Sequence, residues 1–142
     1  MELLKLLIVG LTAASPVGEL LVAYPIGLAI GLDPLIAIIT CSAFNLLPIP
    51  ILLSFAEYIS NRFPKFFNWI ASKGKTYEKY IKSFGITIFL LLTPIIGVYA
   101  TSIFMFLIGF KKRIAFLVQA LSICIYSVIL YLASLGFLSI RF

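Results

Sequence analysis

Apolar residues fill four long blocks of the chain, at 3–32, 34–59, 84–110 and 114–140, and one extended polar stretch, 60–83, parts them. A helix that crosses a bilayer needs roughly 20 apolar residues. The second and fourth blocks predict such helices. The first is too long for an untilted span and is interrupted by Ser15-Pro16-Val17-Gly18-Glu19. The third is interrupted by Thr93-Pro94-Ile95-Ile96-Gly97. A hydroxyl residue followed by proline signals a helix start, with Ser15 or Thr93 as N-cap and Pro16 or Pro94 in the first helical position. Each interrupted block therefore predicts two short helices joined at a turn. At 1.5 Å per residue each arm reaches about mid-membrane, as a re-entrant hairpin.

The two halves match. Pro16 and Gly31 stand at the same spacing as Pro94 and Gly109, and Ala37 matches Ala115 at the same offset. This predicts one membrane domain, 1–142, with a first repeat at 1–59, a linker at 60–83 and a second repeat at 84–142. The expected fold is all-α and integral to the membrane: a re-entrant hairpin plus a spanning helix, twice.

Charge then orients the halves. If both hairpins return to their own side, the basic residues of the linker (Arg62, Lys65, Lys73, Lys75, Lys79, Lys82) share one face with Lys111, Lys112 and Arg113. The termini, Lys5, Asp33 and Arg141 then lie on the other. Positive charge concentrates in the cytoplasm, and both termini lie outside. If all four blocks crossed, the two basic clusters would oppose each other. The hairpin topology makes the halves an inverted repeat, an arrangement that recurs in secondary transporters with broken helices at the midplane. In the linker, Phe63, Phe66, Phe67 and Ile70, then Tyr77, Tyr80, Ile81 and Phe84, follow helical spacing, with Gly74 between the groups. They predict short amphipathic helices lying at the interface, with Lys65, Lys79 and Lys82, and also Lys111, Lys112 and Arg113, facing lipid heads.

Composition agrees with this pattern. The chain is 63 % hydrophobic and 11 % charged, with a mean hydropathy of +1.18. A soluble domain is roughly 45–50 % apolar and about 25 % charged, and one this small leaves much of its surface exposed. The start, with Lys5 before an apolar stretch and Thr12-Ala13-Ala14 beyond it, resembles a signal peptide, but Glu19 and more apolar sequence follow at once, and we read it as mature protein. The net charge of +6 is explained by positive-inside topology, so no nucleic-acid partner is expected.

Chemistry is correspondingly restricted. Histidine is absent, which excludes His-based zinc sites, Ser-His-Asp triads and His proton relays. Cys41 and Cys124 sit in apolar runs without metal-ligand spacing and read as packing residues. No metal or cofactor is implied, and no nucleophile-base pair points to an enzyme. Glu2, Glu19, Asp33, Glu57 and Glu78 are the only acidic residues. Glu19 falls just past the first break, near the hairpin tip, where an ionisable group is costly and usually functional. It is either a reversible proton acceptor or a cap on free backbone amides. Asn45-Leu46-Leu47-Pro48-Ile49-Pro50 places an amide and two prolines in the second block and predicts a kink or an unwound turn. Tyr99, with Tyr24, Thr101 and Gln119, adds polar lining. Pro16, Gly18, Pro25, Gly27, Pro48, Pro50, Pro94 and Gly97 shape the turns and breaks, with Ser15 and Thr93 as their hydroxyl partners.

Glu19-Leu20-x-x-Ala23-x-Pro25-x-Gly27, then Asn45-x-x-Pro48-x-Pro50, then Pro94-x-x-Gly97, resembles the small multidrug export family, which looks related to the wider DedA/VTT group of membrane proteins. The resemblance covers nearly the whole chain and implies two opposed re-entrant hairpins, each followed by a spanning helix. By the same resemblance Glu19 matches the acidic residue of the first hairpin. DedA-like proteins carry arginines in the second hairpin, whereas 93–101 has none. The expected function is proton-coupled export of small hydrophobic or cationic solutes through a cavity between the hairpins, with Glu19, Asn45 and Tyr99 as substrate- or proton-binding residues. The alternatives are a lipid scramblase or lipid-carrier flippase, and a non-transporting scaffold subunit. Expected partners are membrane lipids, a small-molecule or lipid substrate, and further copies of the chain, since Gly27, Ala29 and Gly31 permit close helix contact.

Overall fold

The computed structural model describes residues 1–140, with the side chains at 66, 67, 70, 71, 73–84 and 137–140 outside the described set. The described residues form helices and turns only. In order they are α1 (Glu2–Ala13), α2 (Glu19–Ala29), α3 (Pro34–Leu46), α4 (Pro48–Arg62), α5 (Pro64–Ile96), α6 (Val98–Leu107) and α7 (Lys112–Ile140). Among the described residues, two stretches are long and apolar enough to cross a membrane, Pro34–Arg62, which contains α3 and α4, and Lys112–Gly136 of α7.

The chain forms two compact units. One comprises Met1–Leu47 with the chain from Ile123 onward, and the other Pro48–Ser122. Both long stretches are thus divided, at Leu47 and at Ser122, and each unit combines a helical hairpin with half of each stretch. The compact units and the sequence repeats divide the chain differently.

In the first unit α1, α2 and α3 pack on one another. Their meeting point is Val9, Gly27 and Ala37: a Cβ on Gly27 would lie 3.1 Å from the Ala37 Cβ and 3.4 Å from the Val9 Cγ2. Gly27 is therefore an interior packing residue of α2 rather than a helix break, and its close contact is made within its own unit. Pro25 also lies inside α2, which continues through it. α3 starts on a strong signal: Asp33 Oδ1 accepts from the amides of Leu35 (2.9 Å) and Ile36 (3.2 Å), and Pro34 occupies the first turn.

In the second unit α6 packs on α4 and α5. α4 presents Ile49, Leu53 and Ala56, one face at helical spacing, and α6 presents Val98, Thr101, Ser102 and Met105. Phe89 of α5 packs its ring against Phe104 (6.1 Å between centroids) and edge-on to Phe110 (5.6 Å). The linker differs from the expected pair of short helices. α5 runs unbroken from Pro64 to Ile96 through Gly74. A glycine inside a helix costs only about 1 kcal/mol, and no proline intervenes before Pro94. The outward faces of the expected amphipathic helices, including Lys79 and Lys82, lie outside the described side chains; Lys65 and Trp69 are exposed.

The backbone repeats itself at one constant offset. Every positive φ among the described residues falls on a matched pair, Glu19 (42°) with Gly97 (96°) and Gly31 (78°) with Gly109 (90°). Gly31 and Gly109 each end a helix in the same way. The Leu32 amide bonds the Gly27 carbonyl and the Gly31 amide that of Leu28, while Phe110 bonds Met105 and Gly109 bonds Phe106. Ala37 and Ala115, at the same offset, are both fully buried.

The distribution of polarity is inverted relative to a soluble protein. Leu117, Leu121, Val128, Ile129 and Leu132 of α7 are exposed, while Gln119, Ser122 and Ser134 of the same helix are buried. Leu3, Leu11, Ile39, Ile51, Phe55 and Leu91 are likewise more than half exposed. So much outward apolar surface is matched by hydrocarbon, not by water.

Candidate functional site

The first break is a turn held by side chains. Ser15 Oγ donates to the Thr12 carbonyl (2.8 Å) and accepts from the Gly18 amide (2.9 Å). Gly18 is required by space: a Cβ there would lie 2.1 Å from the Thr12 carbonyl oxygen. Pro16 lies in the turn, and α2 begins at Glu19, three residues after the expected start. The reason is Ser15, whose hydroxyl is spent on the turn. Glu19 has φ 42°, a left-handed conformation that a residue with a Cβ adopts at a cost of about 1–3 kcal/mol. Strain of this kind clusters at functional positions. As the first residue of α2, its carboxyl stands where a helix favours negative charge. Glu19 is half-buried, whereas Glu2, Asp33 and Glu57, the other carboxylates with described side chains, are exposed.

Elsewhere in this unit two hydroxyl pairs tie α7 to the hairpin and to α3. Tyr24 Oη and Ser134 Oγ are 2.6 Å apart, and so are Ser42 Oγ and Ser127 Oγ. Asn45, only 2 % exposed in the last turn of α3, leaves its Oδ1 without a hydrogen-bond partner in the protein. Pro48 and Pro50 follow in the first turn of α4 and have no amide protons, so the Phe44 and Leu46 carbonyls receive no helical bond from them. The expected break at this point is present, as a turn at Leu47.

The second break lies at Gly97, again three residues beyond the proline. Pro94 is inside α5, and Thr93 is not an N-cap: its Oγ1 donates back to the Phe89 carbonyl (2.6 Å). Gly97, with φ 96° and ψ 155°, separates α5 from α6 in a conformation only glycine takes freely. Thr101 Oγ1 donates to the Gly97 carbonyl (2.7 Å). Ser122 Oγ donates to the Leu90 carbonyl (2.6 Å), and Ser102 Oγ to Gln119 Oε1 (3.0 Å). Gln119 is completely buried, and its Nε2 has no partner in the protein. Leaving such a donor unpaired costs about 1–3 kcal/mol. Tyr99 is half-buried in the first turn of α6.

Glu19 and Asn45 thus belong to the first unit and Tyr99 to the second. Lys111 and Arg113 are exposed. Lys112 instead bonds Glu57 through its Nζ and Oε2, which joins the start of α7 to the C-terminal half of α4. Ser102 and Ser122 were not singled out from the sequence. Both lie in apolar helices where a serine reads as a small residue, and their partners come from other elements.

An all-helical chain with an apolar exterior, polar side chains inside and helices broken within their apolar segments is an integral membrane protein of transporter-like build. It belongs to the small multidrug export family: the family model described as "Putative small multi-drug export protein" matches residues 19–129. No curated protein and no solved structure matches the chain.

Proposed function

We propose that the protein is a proton-coupled exporter of small hydrophobic or cationic solutes, with Glu19 as the group that takes up and releases the proton. The observation that carries this reading is the placement of Glu19. It alone of the described carboxylates is withdrawn from the surface, and it sits at a helix break in strained backbone. A residue held at such a cost inside an apolar segment is best explained by a role that needs a carboxyl there. Asn45, in the same unit and with an unpaired buried oxygen, is proposed to serve the same path. The hairpins α1–α2 and α5–α6 are proposed to be re-entrant, and the constant offset between their backbone breaks supports an inverted repeat. The Glu57–Lys112 pair brings the end of α4 and the start of α7 to one level, which supports placing the linker and Lys111, Lys112 and Arg113 together in the cytoplasm.

The test is uptake of a fluorescent lipophilic cation into inside-out proteoliposomes under an imposed pH gradient. The wild type should accumulate dye, and Glu19→Gln should not. Gradient-driven accumulation of equal extent by both would overturn the assignment. A second reading, movement of lipid between leaflets, draws on the amides at the N-termini of α2 and α6, which suit a phosphate head. Leaflet exchange of a fluorescent phospholipid without any gradient would favour it.

A further inference from the structure

The buried polar side chains of the second unit are Thr93, Thr101, Ser102, Gln119 and Ser122, and among its described residues no charged side chain is buried. Each hydroxyl proton there is already used: Thr93 on Phe89, Thr101 on Gly97, Ser122 on Leu90, and Ser102 on Gln119. The amide protons of Gln119 are not. A glutamine that served only to hold α6 to α7 needs its oxygen alone.

The matched positions of the first unit differ in an instructive way. At the same offset Ser102 corresponds to Tyr24, and Gln119 to Cys41. There the large tyrosine ring is buried, its hydroxyl is satisfied by Ser134, and Cys41 is fully enclosed. The second unit replaces ring and thiol with a small serine and a long amide, exchanging apolar bulk for unused donors.

We propose that Gln119 is the hydrogen-bond donor of a solute subsite in the second unit, which takes a neutral acceptor group, the carbonyl oxygen of an apolar molecule. The absence of buried charge around it favours a neutral acceptor over a carboxylate or phosphate, which would need a counter-charge in a dry environment. Ser102 positions the amide by holding its oxygen, so that the nitrogen faces the solute. This inference rests on the export reading and names the kind of molecule exported.

The experiment uses the full chain in lipid nanodiscs and two neutral probes. One is the naphthyl ketone Prodan, whose emission moves to longer wavelength when its carbonyl accepts a hydrogen bond. The other is the same molecule with a methylene in place of the carbonyl. Empty nanodiscs give the lipid background. The wild type should bind Prodan saturably with red-shifted emission. Gln119→Met should weaken that binding at least tenfold and abolish the shift, while binding of the methylene probe changes less than twofold. Equal Prodan binding in the variant, or equal loss of both probes, would overturn the assignment, the latter by showing that the amide serves the fold only. Glu19→Gln separates the two readings: it should keep Prodan binding and lose proton-driven export. Retained export in that variant would defeat the proton-coupled reading and leave the binding result standing.

Discussion

Ser122 on α7 donates its hydroxyl to the carbonyl of Leu90, 2.6 Å away on α5, and Leu90 is the residue whose helical partner would have been Pro94. Proline has no amide proton, so a helix that runs through it leaves the carbonyl four residues earlier without a bond. In hydrocarbon that carbonyl has no water to turn to. The serine of another helix supplies the missing donor. This gives α5 a partner for its weakest point and ties α7 to the break at Gly97.

The relationship is open to a double-mutant cycle. Ser122→Ala should lower stability by about 1–2 kcal/mol, because a buried carbonyl loses its donor. Pro94→Ala should restore the helical bond. In that background Ser122→Ala should cost about 1 kcal/mol less than it does alone. Unfolding of the purified protein in mixed micelles measures all four variants. Equal costs in both backgrounds would show that the serine does not act on the proline's carbonyl.

The two breaks offer a second prediction, on glycine. Gly18→Ala would drive a methyl group into the Thr12 carbonyl and should cost at least about 2 kcal/mol, since the turn must open to admit it. Gly97→Ala meets a different obstacle. Its φ of 96° is unfavourable for any residue with a Cβ, and about 1–3 kcal/mol is expected. Gly136→Ala, where a Cβ would meet nothing within 4 Å, is the control and should be neutral or slightly stabilising. Thermal unfolding of the three variants ranks them.

These breaks also show how far the sequence carries. Ser15-Pro16 and Thr93-Pro94 located both interruptions. In each, the left-handed residue nevertheless falls three residues beyond the proline, and at the second break Pro94 itself stays inside α5. Proline fits a helix start, but it does not force one. Thr93 bonds backward to Phe89 and Ser122 replaces the lost donor, so α5 continues to Ile96. Gly74 misled in the same way: a separator in the pattern of the linker is too weak to end a helix that no proline opposes. The prolines Pro48 and Pro50, which fall in one turn, do end α3. Glu19 was legible as the carboxylate beside the first break, whereas its strained backbone was not, because nothing local demands it. The partners of Gln119 and Ser122 were beyond reach, since each depends on which part of α7 meets α5 or α6.

Glu57 and Lys112 yield a prediction about topology rather than stability. Both side chains are substantially exposed, at 50 % and 37 %, so the pair is a surface ion pair. Lys112→Met should change stability by no more than about 1 kcal/mol. The proposed topology places the end of α4 and the start of α7 on one side of the membrane, as this contact needs. Single cysteines in place of Lys65 and Lys111, in a background with Cys41→Ala and Cys124→Ala, should react with a membrane-impermeant maleimide from the cytoplasmic side only. A cysteine in place of Asp33 should react only from the outside. Labelling of Lys65→Cys and Lys111→Cys from opposite sides would overturn the hairpin topology and with it the inverted repeat.

The strain at Glu19 leads to the last prediction. An L residue in left-handed backbone is disfavoured by roughly 1–2 kcal/mol, and glycine is not. Glu19→Gly should therefore be more stable than Glu19→Ala by about 1 kcal/mol, the pair being compared so that both lack the carboxyl. If the proton-carrying role is correct, both variants lose gradient-driven export regardless of stability. The two measurements then separate: unfolding ranks glycine above alanine, and transport ranks them together below the wild type. A glycine variant that still exports would show that the position shapes the turn and that its carboxyl is dispensable. An alanine variant as stable as glycine would show that the left-handed conformation is not held in the folded protein. A protein that keeps a carboxyl where glycine fits better does so for what the carboxyl does, and export under a proton gradient is where that should appear.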